Sequence, residues 1–110
     1  MSKVIKLSDC NIVERKSERI FEIYRNDTFS TALAVVQGKI EEHYHKERTE
    51  VYHIVAGNGI IYLNGKSKFV KKGETIVIPP NTRHTIEGNY VEIFVVVTPP
   101  YDPKDHYTTS

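Results

Sequence analysis

His43-Tyr44-His45-Lys46-Glu47-Arg48-Thr49-Glu50, running directly into Val51-Tyr52-His53-Ile54-Val55-Ala56, is the stretch on which the reading of this chain turns. Side chains on an extended strand alternate between its two faces, so residues two apart share one. If residues 43–45 are extended, His43 and His45 project together and Tyr44 points the other way. Glu50 opens the next apolar run and can return to the histidines' face. Counting on from Glu50, Tyr52 and Ile54 keep that face, while Val51, His53 and Val55 take the opposite one. His84 lies far downstream. Two imidazoles, a carboxylate and a third imidazole form a donor set suited to a borderline divalent metal. The same four residues also read as polar side chains in loops; the i, i+2 spacing followed closely by a carboxylate is what favours a metal.

Outward from this stretch the pattern is β throughout. Ile20 to Arg25 alternates, and Phe29–Val36, Val51–Ala56, Ile60–Leu63, Lys68–Val70, Thr75–Ile78 and Val91–Val97 are short runs rich in Val, Ile, Tyr, Phe and Thr, the residues that suit a pleated surface. Gly57-Asn58-Gly59 and Asn64-Gly65 read as hairpin turns, because Gly and Asn tolerate positive φ. Lys71-Lys72-Gly73-Glu74 and Pro79-Pro80-Asn81 read as further turns. No stretch carries a sustained helical period with caps. Many short strands at near-regular spacing indicate a sandwich or barrel. Residues 8–19 are polar and are predicted to form a loop or an edge strand. The tail from Thr98 to Tyr107 holds Pro99, Pro100 and Pro103 and cannot join a central ladder at its prolines; it is expected to wrap over the surface or fray, with His106 solvated and with Tyr101 and Tyr107 available to cover a barrel edge or a partner.

The chain has 110 residues, 39% hydrophobic and 26% charged, with a net charge of +1. That length suffices for one domain with a core. The balanced charge does not favour nucleic acid or a membrane surface as a partner. No apolar run approaches spanning length, and the first residues lack the apolar stretch of a signal peptide. Cys10 is the only cysteine, so no internal disulfide can form; this suits the cytoplasm, and Cys10 reads as a small hydrophobe.

Two segments carry a resemblance. Gly38, four residues, His43-x-His45, four residues, Glu50, six residues and Gly57 resemble the first cupin motif. Gly73, five residues, Pro79-x-Asn81, two residues, His84 and then Gly88-Asn89 resemble the second, with 15 residues, 58–72, between the two motifs. The resemblance spans residues 29–98. It departs from the family pattern in having one residue fewer between Gly38 and His43. Asn81 stands where Gly is usual, and Asn is the residue that most readily replaces Gly in a left-handed conformation. Asn89 is displaced by one position and is given no role. The resemblance implies an all-β fold, the double-stranded β-helix or jelly-roll barrel of the cupins. It implies one such domain over residues 1–110, with a barrel core at about 20–98 and a tail at 99–110. It also implies that His43, His45, Glu50 and His84 are ligands of a divalent transition metal (Fe, Mn, Ni, Cu or Zn), at bond lengths of about 2.0–2.2 Å.

Several expectations follow from strand parity and from the family. His53 faces away from the site. Tyr52 shares the face of Glu50 and is the candidate catalytic residue, its hydroxyl able to reach a metal-bound water or a substrate; it also reads as a barrel-filling aromatic. Ile76 and Ile78, or Val77 on the other face, should line or back the cavity. Arg83, next to His84, points away, so no substrate-clamping arginine is evident. Val91–Val97 is apolar on both faces except at Glu92, so the N-terminal strands or a second subunit must cover its outer face, and short cupins suggest a homodimer. The function expected by resemblance is a metal-dependent enzyme acting on a small polar metabolite, as a dioxygenase or as an isomerase or lyase at a carbonyl. The alternative is a non-catalytic cupin that binds or senses a small, sugar-like molecule. A metal-free structural barrel is the third reading.

Overall fold

The structure, a computed structural model, describes residues 2–109. Nine strands form one sheet: β1 (Asn11–Arg15), β2 (Glu18–Arg25), β3 (Ser30–Lys39), β4 (His43–Tyr44), β5 (Thr49–Leu63), β6 (Lys66–Lys71), β7 (Thr75–Ile78), β8 (His84–Thr98) and β9 (Tyr107–Thr108). Among the described residues the only helical turns are two short 3-10 segments, Leu7–Asp9 and Pro103–Asp105. The all-β architecture expected from the sequence is the one observed.

β5 and β8 are 15 residues each and pair antiparallel from end to end, forming the spine of the curled sheet. The free edge of β8 takes β3, which continues through β2 to β1. The free edge of β5 takes β7 along its first half and β6 along its second. His43 of β4 pairs with His84 at the start of β8, and β9 pairs with β4. Strands therefore lie on both sides of residues 20–98: β1 at one end of the chain, β9 at the other.

The register sorts the side chains into faces. Across β3, β8 and β5, Val97 sits between Ser30 and Glu50, Val95 between Ala32 and Tyr52, and Ile93 between Ala34 and Ile54. These residues are on the inner face, where burying aliphatic surface is the main driving force. One half of the interior is filled by Ile54, Ile61, Val70, Ile76, Ile78 and Val91. The other half is hollow and holds the site described below. On the outer face, Phe94 lies between Leu33 and His53, and Val96 between Thr31 and Val51. β1 and β2 extend the sheet sideways, and most side chains of this face stay half-buried. Beside it, Val77 is 59% exposed.

One expected turn is absent. Gly57-Asn58-Gly59 does not reverse the chain: β5 runs through it, with Gly57 opposite Val91 and Asn58 opposite Tyr90. The register shifts between Ile54 and Ala56 and again between Asn58 and Ile60, so the segment is a pair of bulges that bends a long strand. Gly57 has φ +78°, and a Cβ there would lie well inside contact distance of the Tyr90 carbonyl oxygen. Positive φ serves a bulge as well as a turn, and the residues alone do not separate the two. Asn64-Gly65, 71–74 and 79–81 are turns as expected.

Gly57→Ala should lower stability by about 2–4 kcal/mol, combining backbone strain with overpacking against β8. A thermal melt should show the loss as a clear fall in Tm. An unchanged Tm would mean that β5 does not bend there.

Candidate metal centre and cavity

Strand pairing brings the four distant residues together. β4 lies beside the start of β8, which sets His43 next to His84. The chain then turns over residues 45–48 into β5 and returns Glu50 to the inner face. His43, His45, Glu50 and His84 are all buried, and each offers a donor atom within 4.8 Å of the others. The Nε2 atoms of His45 and His84 lie 3.1 and 2.8 Å from Oε1 of Glu50. Those separations are short, yet alignment is poor enough that Nε2 of both rings and Oε1 have no hydrogen-bond partner.

The opposite ring nitrogens are committed. Nδ1 of His43 donates to the Glu41 carbonyl at 3.0 Å, Nδ1 of His45 to the Asp105 carbonyl at 2.6 Å, and Nδ1 of His84 to the Thr82 carbonyl at 2.8 Å. A carbonyl oxygen can only accept, so each Nδ1 carries the proton. In a neutral ring the Nε2 lone pair is then free and aimed inward. Backbone acceptors of this kind orient the imidazoles of metal sites. Three such lone pairs and one buried, orphaned carboxylate oxygen fit a divalent transition metal by donor type and by separation.

The charges of the site respond to burial and to one another. Burial raises the Glu50 carboxyl, but His45 and His84 outweigh it and hold Glu50 below the usual carboxylate range. Burial opposes charge on His45, and Glu50 and Asp105 overcome it and raise its pKa. His43 is lowered to about 3 by burial and by His84. The ionised Glu50 carboxylate and the neutral His43 ring match what a metal requires of its ligands, while the rise at His45 reflects the pull of Glu50, which a bound cation would replace.

The cluster opens onto a cavity of about 290 Å³, at the lower end of the range for small-molecule sites. His43, His45 and Glu50 reach its wall, with Tyr52, Ile86, Ile93 and Val95. Tyr52 is 5% exposed, its ring is 6.0 Å from that of His84, and its hydroxyl makes no hydrogen bond among the described residues. Burial, then the Glu50 charge, pushes its pKa well up, so the phenol stays protonated. Ile76 and Ile78 pack behind the wall without lining it. His53 is exposed, its Nδ1 2.8 Å from Thr75 Oγ1, and Arg83 is exposed as well.

The two ends of the chain complete the site. The tail neither frays nor leaves His106 solvated: the His106 ring stacks on His43 with centroids 4.4 Å apart and planes 4° from parallel. Burial, then Arg15, lowers His106 to about 4. Asp105 is 6% exposed and accepts from the backbone N–H of Lys46 at 2.8 Å, that of Glu47 at 3.1 Å and the Arg48 guanidinium at 3.0 Å. One tail residue thus holds the turn after His45 with its carboxylate and the His45 ring with its carbonyl. Tyr101, Arg15 and Glu18 also line the cavity. Motif reading missed all five, because their proximity to the histidines depends on pairings between segments distant in the sequence. For Glu18 a local signal existed: it shares the parity of Ile20 and Glu22 on β2.

A family model for the cupin domain matches residues 32–98. An uncharacterized protein of Methanocaldococcus jannaschii is 40% identical over 88 residues, which cover 76% of this chain and 70% of that protein. The crystal structure of a protein from Planctomyces limnophilus superposes with a TM-score of 0.86 at 31% identity, covering 97% of this chain and 96% of that one. Pac13, a nucleoside dehydratase, superposes with a TM-score of 0.92 at 18% identity over 99% of this chain and 92% of its own. A Streptomyces Pac13 structure contains uridine.

Asp105→Ala should cost about 3 kcal/mol, since it leaves two backbone N–H groups and a guanidinium without their acceptor. Circular dichroism melts would record the drop, and retention of the wild-type Tm would show that the tail does not hold the 45–48 turn. His53→Ala should leave both Tm and metal content unchanged.

Proposed function

The chain belongs to the cupin domain family, and on that premise we propose that it is a metal-dependent enzyme acting on a small polar metabolite, with His43, His45, Glu50 and His84 as the metal ligands. The observation that carries this reading is the set of inward, unpartnered donor atoms on His45, Glu50 and His84, buried at the wall of a cavity. Leaving such atoms unsatisfied costs about 1–3 kcal/mol each, and more for the charged oxygen, a cost that a bound cation would remove. When bound, a divalent metal supplies Lewis-acid polarisation of a substrate oxygen.

The chain's own residues favour isomerase or lyase chemistry at a carbonyl over a dioxygenase. Tyr52, Glu18, Tyr101 and His106 all line the cavity and can hold or move protons. Tyr52 is the candidate acid by position, because its hydroxyl stands at the cavity wall on the face of Glu50 with no other hydrogen-bond partner among the described residues. Its raised pKa means that it could give up its proton only to a strongly basic group. The similarity in fold to a nucleoside dehydratase agrees with elimination chemistry. A non-catalytic, sugar-binding role draws support from the aliphatic walls, among them Ile20, Val36, Ile86 and Val95; the four proton-handling groups weigh against it. The outer face, with half-buried Phe94 and Val96 beside the exposed Val77, supports pairing with a second copy of the chain. The lone Cys10 supports a reducing compartment such as the cytoplasm. No helix among the described residues is long and apolar enough to cross a membrane.

Elemental mass spectrometry of the untagged protein should find one transition metal per chain, lost in His45→Ala while the barrel stays folded. Absence of metal from both proteins, with none taken up on reconstitution, would remove the enzyme reading.

A further inference from the structure

The β1–β2 hairpin sets an arginine, exposed to solvent on one side, at the wall of the cavity. Arg15 and Glu18 are cross-strand neighbours on either side of the turn at Lys16-Ser17, on the same face as the inward-facing pair Val13 and Ile20. Both line the main cavity. Both also line a smaller hollow of about 110 Å³ together with Lys16, Glu41, His43 and His106. Arg15 therefore stands at the passage between the cavity and the surface, on the side where His43 and His106 stack.

Its charge is unmatched. Arg19 pairs with Glu14 at 2.9 Å and Arg48 with Asp105 at 3.0 Å, whereas Arg15 has no carboxylate within 4.0 Å among the described residues. Glu18, its nearest acid in register, is half-buried, and burial pushes its carboxyl toward the neutral form against the pull of Arg15. The one side-chain hydrogen bond of Arg15 runs from Nη2 to the Tyr101 hydroxyl at 2.8 Å. That hydroxyl is 3.1 Å from Nδ1 of His106, and the Tyr101 backbone N–H donates to Ser30 Oγ at 2.9 Å. The guanidinium is thus held in place by a neutral oxygen that is itself fixed, and most of its five N–H donors remain free. An oriented, unpaired guanidinium at a cavity wall is a site for an anion.

We propose that Arg15 anchors a carboxylate of the substrate, so that the cavity takes a small oxo- or hydroxy-carboxylate whose other oxygen faces the cluster of His43, His45, Glu50 and His84. The second half of this statement rests on the metal-centre reading; the Arg15 anchor does not. A carboxylate matches the planar fork of one guanidinium. A phosphate would call for more charge than the cavity holds, since Arg15 and Arg25, both exposed, are the only cationic side chains at its wall apart from the histidines.

The test is isothermal titration calorimetry on the protein as purified and after chelation. The probes are pyruvate, lactate and gluconate, set against the uncharged hydroxyacetone, propane-1,2-diol and glucose. At least one carboxylate should bind at least about tenfold more tightly than its neutral counterpart, the scale of a charge-assisted hydrogen bond. Arg15→Gln should abolish that preference with Tm and metal content unchanged, and Arg15→Lys should restore part of it. The anchor is overturned if no carboxylate in the panel binds below about 10 mM, a threshold close to 3 kcal/mol of binding, if neutral partners bind equally well, or if Arg15→Gln binds as wild type. Preference that depends on Arg15, in a protein that carries no metal as purified and takes none up on reconstitution, would support the anchor while sinking the metal centre. Metal without such preference would do the reverse.

Discussion

Glu50 places a carboxylate, 5% exposed, in an interior built mostly from Val and Ile. An ion so placed is tolerated only with opposite charge and hydrogen-bond donors beside it. The surrounding structure answers to that demand. β4 and the start of β8 bring His43 and His84 to it, and the turn into β5 brings His45. The backbone carbonyls of Glu41, Asp105 and Thr82 hold the outer nitrogens of the three rings, so that the inner ones face the carboxylate or whatever cation joins it. The barrel is divided accordingly. Its filled half supplies the apolar burial that keeps the sheet curled, and its hollow half can then afford a polar cluster and a cavity.

The two ends of the chain act on this centre in different ways. The tail is a strap whose Asp105 satisfies three donors of the 45–48 segment and whose carbonyl fixes His45. Its next residue lays an imidazole over His43. The N-terminal hairpin adds β1 and β2 to the edge of β3 and builds the cavity's far wall, with Val13 and Ile20 packing beside Arg15 and Glu18. The two ends meet at the contact of Arg15 with Tyr101, so a continuous line of side chains runs from the N-terminal hairpin through Tyr101 and His106 to a candidate metal ligand. The central strands thus provide the donors, and the ends provide the wall that a substrate would meet.

The outer face carries a separate consequence of β8 being apolar on both sides. The spine strands are shared by the barrel wall and by an exterior row of Phe94, Val96 and Val51 beside the exposed Val77. The row is half-buried as it stands, and burying it fully would take a second surface, since the N-terminal strands extend the sheet edge to edge.

What the sequence determined by itself was everything that strand parity decides. The period of two places His43 with His45 and Glu50 with Tyr52. It turns His53 outward, as the register shows, and it separates Ile76 and Ile78 from Val77 without saying which face is inward; the fold buries the two isoleucines and exposes Val77. Parity is local, because it depends only on the backbone being extended. Tertiary structure alone decided three other matters. Gly57 and Gly59 tolerate a bulge as readily as a turn, and only the partner strand β8 selects the bulge. Asp105 and His106 carry no local mark of their roles, since their value lies in what stands across the barrel. Arg15 reads as one more surface charge until the β1–β2 register sets it, still exposed, at the rim of a cavity whose other walls come from distant strands. Long-range pairing is set by the summed burial of the whole sheet, and no single segment of the chain contains that sum.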